Sequence, residues 1–416
     1  MTLLNRDPHQ SCGQRWRKQV KKLGIGLAIV ALIGAIGWWL IGSDWRRLVT
    51  NLPTDAEVLF WTQGQRDAGF RMMDRVPLLI ASRDIPASDT VRALPEGPKL
   101  ELPIDLDTYM EEQRHASLVV LHNGALRLEH YGLDFKADGR WTSFSVAKSL
   151  TSTLVGIAVQ EGHIESLDDP VSKYISGLAN SAYDDVTIEE LLTMSSGIAW
   201  DETYTDPDSD VAKFNNHVAD DGGSNLVSYM AALPRAHPAG EVWNYSTGET
   251  NMIGVLVTEA TGRTLSEYLS EKIWKPYGME QRATWLLNDD GGEISGCCIQ
   301  AATRDFARFG QFILDGAQIN GERLVPEDWI ERATTKRIGY GRPGQGYGFQ
   351  WWTYDDGAFA ARGIFGQGIF IDPSRNLVIA SNSSWSTALG NDGGENAARE
   401  ALYQMVVAAI DAEATP

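Results

Sequence analysis

The stretch Ser145-Val146-Ala147-Lys148 decides the fold of this chain, because it places a serine hydroxyl three residues before a lysine amine at the start of an apolar run. On a helix, residues three apart lie on one face. The run from Ser149 to Val159 consists of small and apolar residues, as in a helix that is buried on most sides. Glu161-Gly162 ends it, since glycine accepts the left-handed conformation of a helix cap. The pattern predicts a buried helix with Ser145 near its amino-terminal end.

The spacing also predicts a chemistry, because the Lys148 amine can reach the Ser145 hydroxyl and act as its base. Unpaired N–H groups at a helix start favour an alkoxide and the oxyanion that it creates, and burial lowers the pKa of an amine towards neutrality. The alternative is a surface lysine one turn after an N-cap serine, an ordinary arrangement. Ser-x-x-Lys should occur about once or twice by chance in a chain of this length, and it occurs once. The neighbouring motifs therefore have to decide between a catalytic Ser145–Lys148 pair and an ordinary helix start.

The amino terminus predicts a single-pass membrane anchor. Residues 23–42 form an uncharged run of 20 that ends near the interfacial pair Trp38-Trp39, long enough to cross a bilayer. Residues 1–22 contain one acid, Asp7, and six basic side chains, which are Arg6, Arg15, Arg17, Lys18, Lys21 and Lys22. By the positive-inside rule this tail is cytoplasmic, so we expect a bacterial inner-membrane protein with a periplasmic or extracellular catalytic domain. A cleaved signal peptide is the competing interpretation, although no A-x-A site follows Gly42.

Composition excludes several classes of protein. The chain has 416 residues, 43% of them hydrophobic, enough for one large core or two moderate ones. Its net charge of −19 argues against nucleic-acid binding.

Cys12, Cys297 and Cys298 imply no disulfide framework; we expect the adjacent pair to be two small buried residues before a helix, with a vicinal disulfide as the alternative. No metal-ligand spacing is present, so we expect no metal and no cofactor.

Strand patterns lie at both ends of the remaining chain, and helical patterns lie between them. Residues 116–121 and 125–131 predict a β-hairpin around Asn123-Gly124. Further strands are predicted at 348–352, 359–363, 368–372 and 377–380, and helices at 187–194, 248–262 and 303–314. We therefore expect an α+β fold, with one antiparallel sheet built from both ends and a mostly helical region inserted between them. Residues 43–60 are assigned to a connection and 61–416 to one catalytic domain.

Two later segments can accompany Ser145. In residues 238–248, Tyr245 lies in a loop that enters a helix, where its phenol can shuttle a proton between an ammonium and a nucleophile; an aromatic side chain that anchors a loop is the plainer interpretation. In residues 361–368, three glycines interrupt two strand-like runs. A backbone N–H there can complete an oxyanion hole with that of Ser145, and a simple turn or bulge is the alternative.

The order of these motifs resembles that of the serine β-lactamase and penicillin-binding-protein superfamily, whose elements are S-x-x-K, Y-x-N and a K-T-G-like strand. From about Trp61 onward the chain looks most similar to the branch of esterases and nylon-oligomer (6-aminohexanoate-dimer) hydrolases, also through residues 144–150, 188–198 and 304–310. The resemblance implies a β-lactamase/transpeptidase-like fold and an acyl-enzyme. The implied roles are Ser145 as nucleophile, Lys148 and Tyr245 in proton transfer, the Ser145 and Ile364 amides as oxyanion hole, and Tyr204 on a loop over the substrate.

Two departures from the family pattern bear on the substrate. Thr247 stands where the family has asparagine, and Ala361-Arg362-Gly363 replaces K-T-G. The family's lysine helps to bind the carboxylate of β-lactams, so its loss favours a small ester or amide as substrate. Thr247, Arg362 and Gly363 remain candidate substrate-binding residues. A β-lactamase or D-alanyl-D-alanine carboxypeptidase is the second hypothesis, and a non-catalytic binding protein of the same fold is the third.

Overall fold

The computed structural model describes residues 8–75, 80–220 and 222–414, so Arg6 and Asp7 of the predicted tail lie outside the described residues. The chain divides into two units, Met1–Leu52 and Pro53–Pro416. From residue 8 onward, the first unit consists of the helices α1 (Pro8–Leu40) and α2 (Ser43–Thr50). Within α1, the stretch Trp16–Leu40 contains an 18-residue window with a mean hydropathy of 2.2, and this helix is long and apolar enough to cross a membrane. A signal sequence would have the same property, so this helix supports the anchor only in part.

The second unit mixes helices and strands. Its helices are α3 (Gln63–Gly69), α4 (Leu106–Glu112), α5 (Ala147–Gln160), α6 (Ile188–Leu192), α7 (Asp210–Lys213), α8 (Asn225–Ala231), α9 (Thr247–Thr261), α10 (Leu265–Leu269), α11 (Lys275–Tyr277), α12 (Thr303–Leu314), α13 (Trp329–Thr334) and α14 (Glu395–Ala414). Its strands are β1 (Ser82–Ile85), β2 (His115–His122), β3 (Ala125–Tyr131), β4 (Trp141–Thr142), β5 (Ala283–Leu286), β6 (Ile299–Ala301), β7 (Gln318–Ile319), β8 (Glu322–Arg323), β9 (Gln345–Tyr347), β10 (Trp352–Tyr354), β11 (Phe359–Gly363), β12 (Gln367–Asp372) and β13 (Leu377–Ser383).

The main sheet is antiparallel and has seven strands in the order β3-β2-β13-β12-β11-β10-β9. The register pairs Leu377 with His122, which joins a late strand to an early one. The predicted sheet from both ends of the chain is therefore confirmed. So is the hairpin, since Asn123 and Gly124 have φ angles of 53° and 73°, as a tight two-residue turn requires.

One predicted strand is wrong. Residues 348–352 do not form a strand, because β9 ends at Tyr347 and β10 begins at Trp352. Between them, Gln350 has a φ of 64° and is buried. Its amide oxygen accepts a hydrogen bond of 2.7 Å from Thr250 Oγ1, and its Nε2 donates 2.8 Å to the carbonyl of Leu192. The buried amide thus links the sheet edge to two helical segments, which a continuous strand would not allow.

Helix α5 is buried from Ala147 to Ala158, as its apolar run predicts. Its small hydroxyl residues bond to neighbouring backbone: Ser149 Oγ donates 2.7 Å to the carbonyl of Gln350, and Ser152 Oγ donates 2.8 Å to that of Phe349. A side chain at Gly156 would bring its Cβ to 2.5 Å from Trp329. Small residues therefore let neighbouring segments approach α5 closely and hold it in a fixed position.

The cysteine pair differs from our expectation. The sulfurs of Cys297 and Cys298 are joined in a disulfide, and the residue that follows opens strand β6 rather than a helix. Cys298 has a φ of 77°, so the backbone at this point is neither helical nor extended.

Candidate active site

Ser145 lies in a short 3-10 turn, Phe144–Val146, immediately before α5. The helix therefore starts at Ala147, two residues after the serine. Phe144 has a φ of 41°, rare for a residue with a side chain, and its ring packs 4.9 Å from that of Phe70 and 5.4 Å from that of Phe365. This packing holds the turn, and the Ser145 side chain faces a cavity.

Lys148 is almost fully buried, with 1% of its surface exposed. Its Nζ atom donates one hydrogen bond of 3.0 Å to Thr247 Oγ1 and another of 2.8 Å to the carbonyl oxygen of Gly296. Burial lowers the pKa of the Lys148 amine to about 7, although the negative charge of Glu202 acts in the opposite direction. An amine with this pKa can take up a proton near neutrality.

Tyr245 lies between the serine and an aromatic cluster. Tyr245 and Ser145 line the same cavity. The Ser145 hydroxyl lowers the pKa of the Tyr245 phenol, but burial and the charge of Glu202 raise that pKa far more. The Tyr245 ring stacks on Trp352 at a centroid distance of 5.7 Å, and Lys148 Nζ lies 5.3 Å from its centroid. The two interpretations of this tyrosine are therefore compatible, because one side chain both packs on the aromatic cluster and lines the same cavity as Ser145.

Strand β11 brings the glycine motif to the serine. A Cβ atom at Gly363 would lie 2.6 Å from the carbonyl oxygen of Ser143, so only glycine allows this approach. Gly363 and Ile364 line the same cavity as Ser145. Arg362 also lines it, but its guanidinium already donates to Tyr354 and, at 2.9 Å, to Glu400.

The loop after Trp200 supplies a carboxylate that the sequence analysis missed. Glu202 accepts hydrogen bonds from the Thr247 amide at 2.9 Å, from the Tyr204 hydroxyl at 2.9 Å, from the Thr247 hydroxyl and from the Trp200 indole. Thr247 thus bonds to Lys148 and Glu202, and it is absent from the residues that line the cavity. Tyr204 does line it. The only sequence signal for Glu202 is its position two residues before Tyr204. The surrounding residues are rich in acids, as in many solvated loops, so that signal is weak.

The cavity has a volume of about 330 Å³. One wall is aromatic, because Trp243, Tyr340 and Trp352 pack with centroid distances of 5.1 to 5.8 Å. Sequence reasoning missed this wall, since its members are far apart in the chain. The lining residues are Ser145, Glu202, Tyr204, Trp243, Tyr245, Tyr340, Arg342, Trp352, Arg362, Gly363, Ile364, Trp385, Ala388, Leu389, Asn391, Asn396 and Arg399.

The arrangement suits nucleophilic chemistry. Ser145 and Tyr245 line a cavity of ligand size, and a buried amine of near-neutral pKa, that of Lys148, lies 5.3 Å from the centroid of the Tyr245 ring. A serine, a phenol and such an amine are the groups that covalent catalysis by serine requires. Among residues 8–75, 80–220 and 222–414, no group of three or more His, Cys, Asp or Glu side chains is placed to hold a metal ion.

Comparison with known proteins identifies the family. The family model described as "Beta-lactamase" matches residues 106–404, which include every site residue named above.

The similar proteins include hydrolases. The 6-aminohexanoate-dimer hydrolase of Paenarthrobacter ureafaciens is 29% identical over 334 residues, covering 76% of this chain and 84% of the relative. The solved structure "Putative 6-aminohexanoate-dimer hydrolase from Bacillus anthracis" superposes with a TM-score of 0.73 at 24% identity, covering 84% of this chain and 95% of the other. A solved family VIII carboxylesterase superposes with a TM-score of 0.52 at 16% identity, covering 70% and 93%.

Proposed function

The chain belongs to the beta-lactamase family and is a serine hydrolase, and we propose that it cleaves carboxylic esters or small amides through an acyl-enzyme on Ser145. The observation that carries the proposal is the buried Lys148 amine, which has a pKa of about 7 and lies 5.3 Å from the ring centroid of Tyr245. Tyr245 in turn lines the same cavity as Ser145. Burying an amine costs free energy because its charged form loses hydration. Strongly lowered pKa values of this kind are typical of functional sites.

In the proposed reaction, the Ser145 hydroxyl attacks the substrate carbonyl. Its proton passes to the Tyr245 oxygen while the phenolic proton of Tyr245 passes to the neutral Lys148 amine, so that Lys148 is the final base. The tetrahedral oxyanion is held by the amides of Ser145 and Ile364. Collapse expels the alcohol or amine, which receives the proton, and leaves an acyl ester on Ser145. Water then attacks that ester with the same pair as base, releasing the carboxylic acid and restoring the serine.

Esters and small amides fit the site better than β-lactams. Arg362, the nearest replacement for the family's lysine, is engaged by Glu400, and Thr247 is engaged by Lys148 and Glu202. A substrate that needs only the nucleophile and the oxyanion hole requires neither. The similar hydrolase of Paenarthrobacter ureafaciens is named for an amide dimer, which supports amides as well as esters.

We further propose that α1 remains as an uncleaved anchor and that the hydrolase lies on the far side of a membrane. The support is the apolar stretch Trp16–Leu40 together with the basic residues that precede and begin it. Fractionation of a chain tagged at its carboxyl end tests this: a full-length product in membranes that external protease digests supports an anchor with an external catalytic domain. A shortened soluble product would mean a cleaved signal.

A fluorophosphonate probe tests the catalytic proposal directly, since it labels an activated serine. We expect labelling of the wild type and none of Ser145→Ala, and we expect hydrolysis of short 4-nitrophenyl esters. An unlabelled but folded wild type would contradict the proposal. Faster hydrolysis of a chromogenic cephalosporin than of the esters would favour the β-lactamase hypothesis.

A further inference from the structure

The charges around the cavity are opposite to those of the whole chain. The net charge of the chain is −19, yet the cavity is lined by three arginines, Arg342, Arg362 and Arg399, and by one carboxylate, Glu202. A local reversal of charge in a strongly acidic protein concentrates anions at that point. The reversal therefore bears on which substrates reach Ser145.

Most of these charges have partners within the protein. The Glu202 carboxylate accepts four hydrogen bonds, as described above. Arg362 and Arg399 share Glu400, at 2.9 and 3.5 Å, and Arg399 also donates 2.9 Å to Asn396 Oδ1. These groups are fixed in the wall and have little capacity for a ligand.

Arg342 differs from the other two arginines. It is exposed, and no carboxylate of the described residues lies within 4.0 Å of its guanidinium. The backbone from which it extends is nevertheless restrained: Pro343 limits the backbone conformation of Arg342, and the carbonyl of Arg342 accepts a hydrogen bond of 3.4 Å from the Gln345 amide. Two residues earlier, the Tyr340 ring packs 5.1 Å from both Trp243 and Trp352. The loop thus holds an uncompensated cation at the end of the aromatic wall.

We propose that Arg342 binds a carboxylate of the substrate, so that the preferred substrates are esters or amides that carry a second, anionic group beyond an apolar segment. The guanidinium forms two parallel hydrogen bonds with a carboxylate, and the aromatic wall accommodates the apolar segment between that carboxylate and the scissile carbonyl. This inference rests on the proposed function, because it names the substrate class of the same site. The anion can belong to the acyl part or to the leaving group, and the experiment has one arm for each.

Matched pairs of esters test the inference. For the acyl part, the pair is the mono-4-nitrophenyl ester of adipic acid and its methyl ester; for the leaving group, it is 4-acetoxybenzoate and its methyl ester. We expect kcat/KM to favour the anionic member of at least one pair, and we expect this preference to fall about tenfold in Arg342→Gln. Arg342→Lys keeps the charge and should retain part of the preference. Lys336→Gln removes an exposed cation of the same segment outside the cavity and should leave it intact.

The preference should also weaken as salt is raised, because an exposed ion pair is screened. Equal rates within both pairs, or a preference that Arg342→Gln leaves unchanged, would overturn the inference while leaving the hydrolase intact. Binding is measured separately from catalysis by tryptophan fluorescence, since Trp243 and Trp352 line the cavity. Monomethyl adipate should bind more tightly than dimethyl adipate to the wild type, and Arg342→Gln should lose the difference. An equal response to both compounds would refute the site even in a chain that hydrolysed no ester.

Discussion

The Nζ atom of Lys148 donates a hydrogen bond of 3.0 Å to Oγ1 of Thr247. The same hydroxyl donates to the Glu202 carboxylate, so one threonine side chain joins a buried amine to a carboxylate. The charge of Glu202 raises the pKa of the amine while burial lowers it to about 7. Burial and the charge of Glu202 therefore act together to set the pH at which the Lys148 amine loses its proton.

Glu202→Gln should shift the pH profile of hydrolysis. In the wild type we expect kcat/KM to rise through about pH 7, as Lys148 becomes neutral. Removing the negative charge lowers the pKa of the amine further, so the rise should move to lower pH. Asp208→Asn, on the exposed part of the same loop, is the matched control. A rise that stays in place or moves to higher pH would show that Glu202 does not act on Lys148.

Thr247→Val should lower activity because it removes the hydroxyl that receives the Lys148 hydrogen bond. We expect kcat/KM for a neutral ester to fall about 10- to 100-fold, less than the roughly 10²- to 10⁴-fold that a general base contributes, because Lys148 itself remains. Thr247→Ser keeps the hydroxyl and should stay within a few-fold of the wild type. The rate of fluorophosphonate labelling should follow the same order, and equal rates for Val and Ser would contradict the role of the hydroxyl.

Gly363→Ala should damage the site through the backbone. Its Cβ would lie 2.6 Å from the carbonyl oxygen of Ser143, so β11 has to move away from the serine turn. We expect a destabilisation of about 1–3 kcal/mol and the loss of most activity. At Gly292 the nearest atom to a new Cβ is 3.6 Å away, so Gly292→Ala is the control. Urea denaturation and ester hydrolysis measure the two effects, and a fully active Gly363→Ala would contradict the close approach.

Lys148→Met should make the protein inactive but more stable at neutral pH. The folded state lowers the pKa of this amine from 10.5 to about 7, so between those pH values the unfolded chain binds more protons and the stability of the wild type rises with pH. Methionine has no amine, so its burial does not require the loss of a proton. We expect a gain of about 1–3 kcal/mol at pH 7, after the loss of two hydrogen bonds.

The gain should shrink as the pH approaches 10, because the wild type recovers its stability there. Urea denaturation of both proteins at the two ends of this range is the measurement. A constant difference, or a less stable methionine variant, would mean that Lys148 is not held neutral by burial.

The elements that sequence reasoning found have local causes. The Asn123-Gly124 turn selects a hairpin by itself, and α12 follows from a single amphipathic run over residues 303–314. Ser145, Lys148, Tyr245 and Gly363 were found because each lies in a motif with a chemical reason for its spacing. The structure brings all four to one place.

The missed residues depend on contacts between distant segments. Glu202 is held by hydrogen bonds from Thr247, forty-five residues later in the chain. Trp352 is held in the aromatic wall by stacking on Tyr245. Neither pairing leaves a periodic signal in the chain. The strand predicted over residues 348–352 was wrong for the same reason, since the buried Gln350 amide bonds to Thr250 and Leu192.

The pairing of β2 with β13 has a consequence for biosynthesis. Ser145 and Lys148 leave the ribosome long before β11, β12 and β13, and without those strands nothing holds Gly363 against the serine turn. Contacts between such distant segments form slowly. A nascent chain that lacks these strands therefore carries Ser145 and Lys148 without an assembled centre, and we expect hydrolysis only after β11, β12 and β13 have joined the sheet.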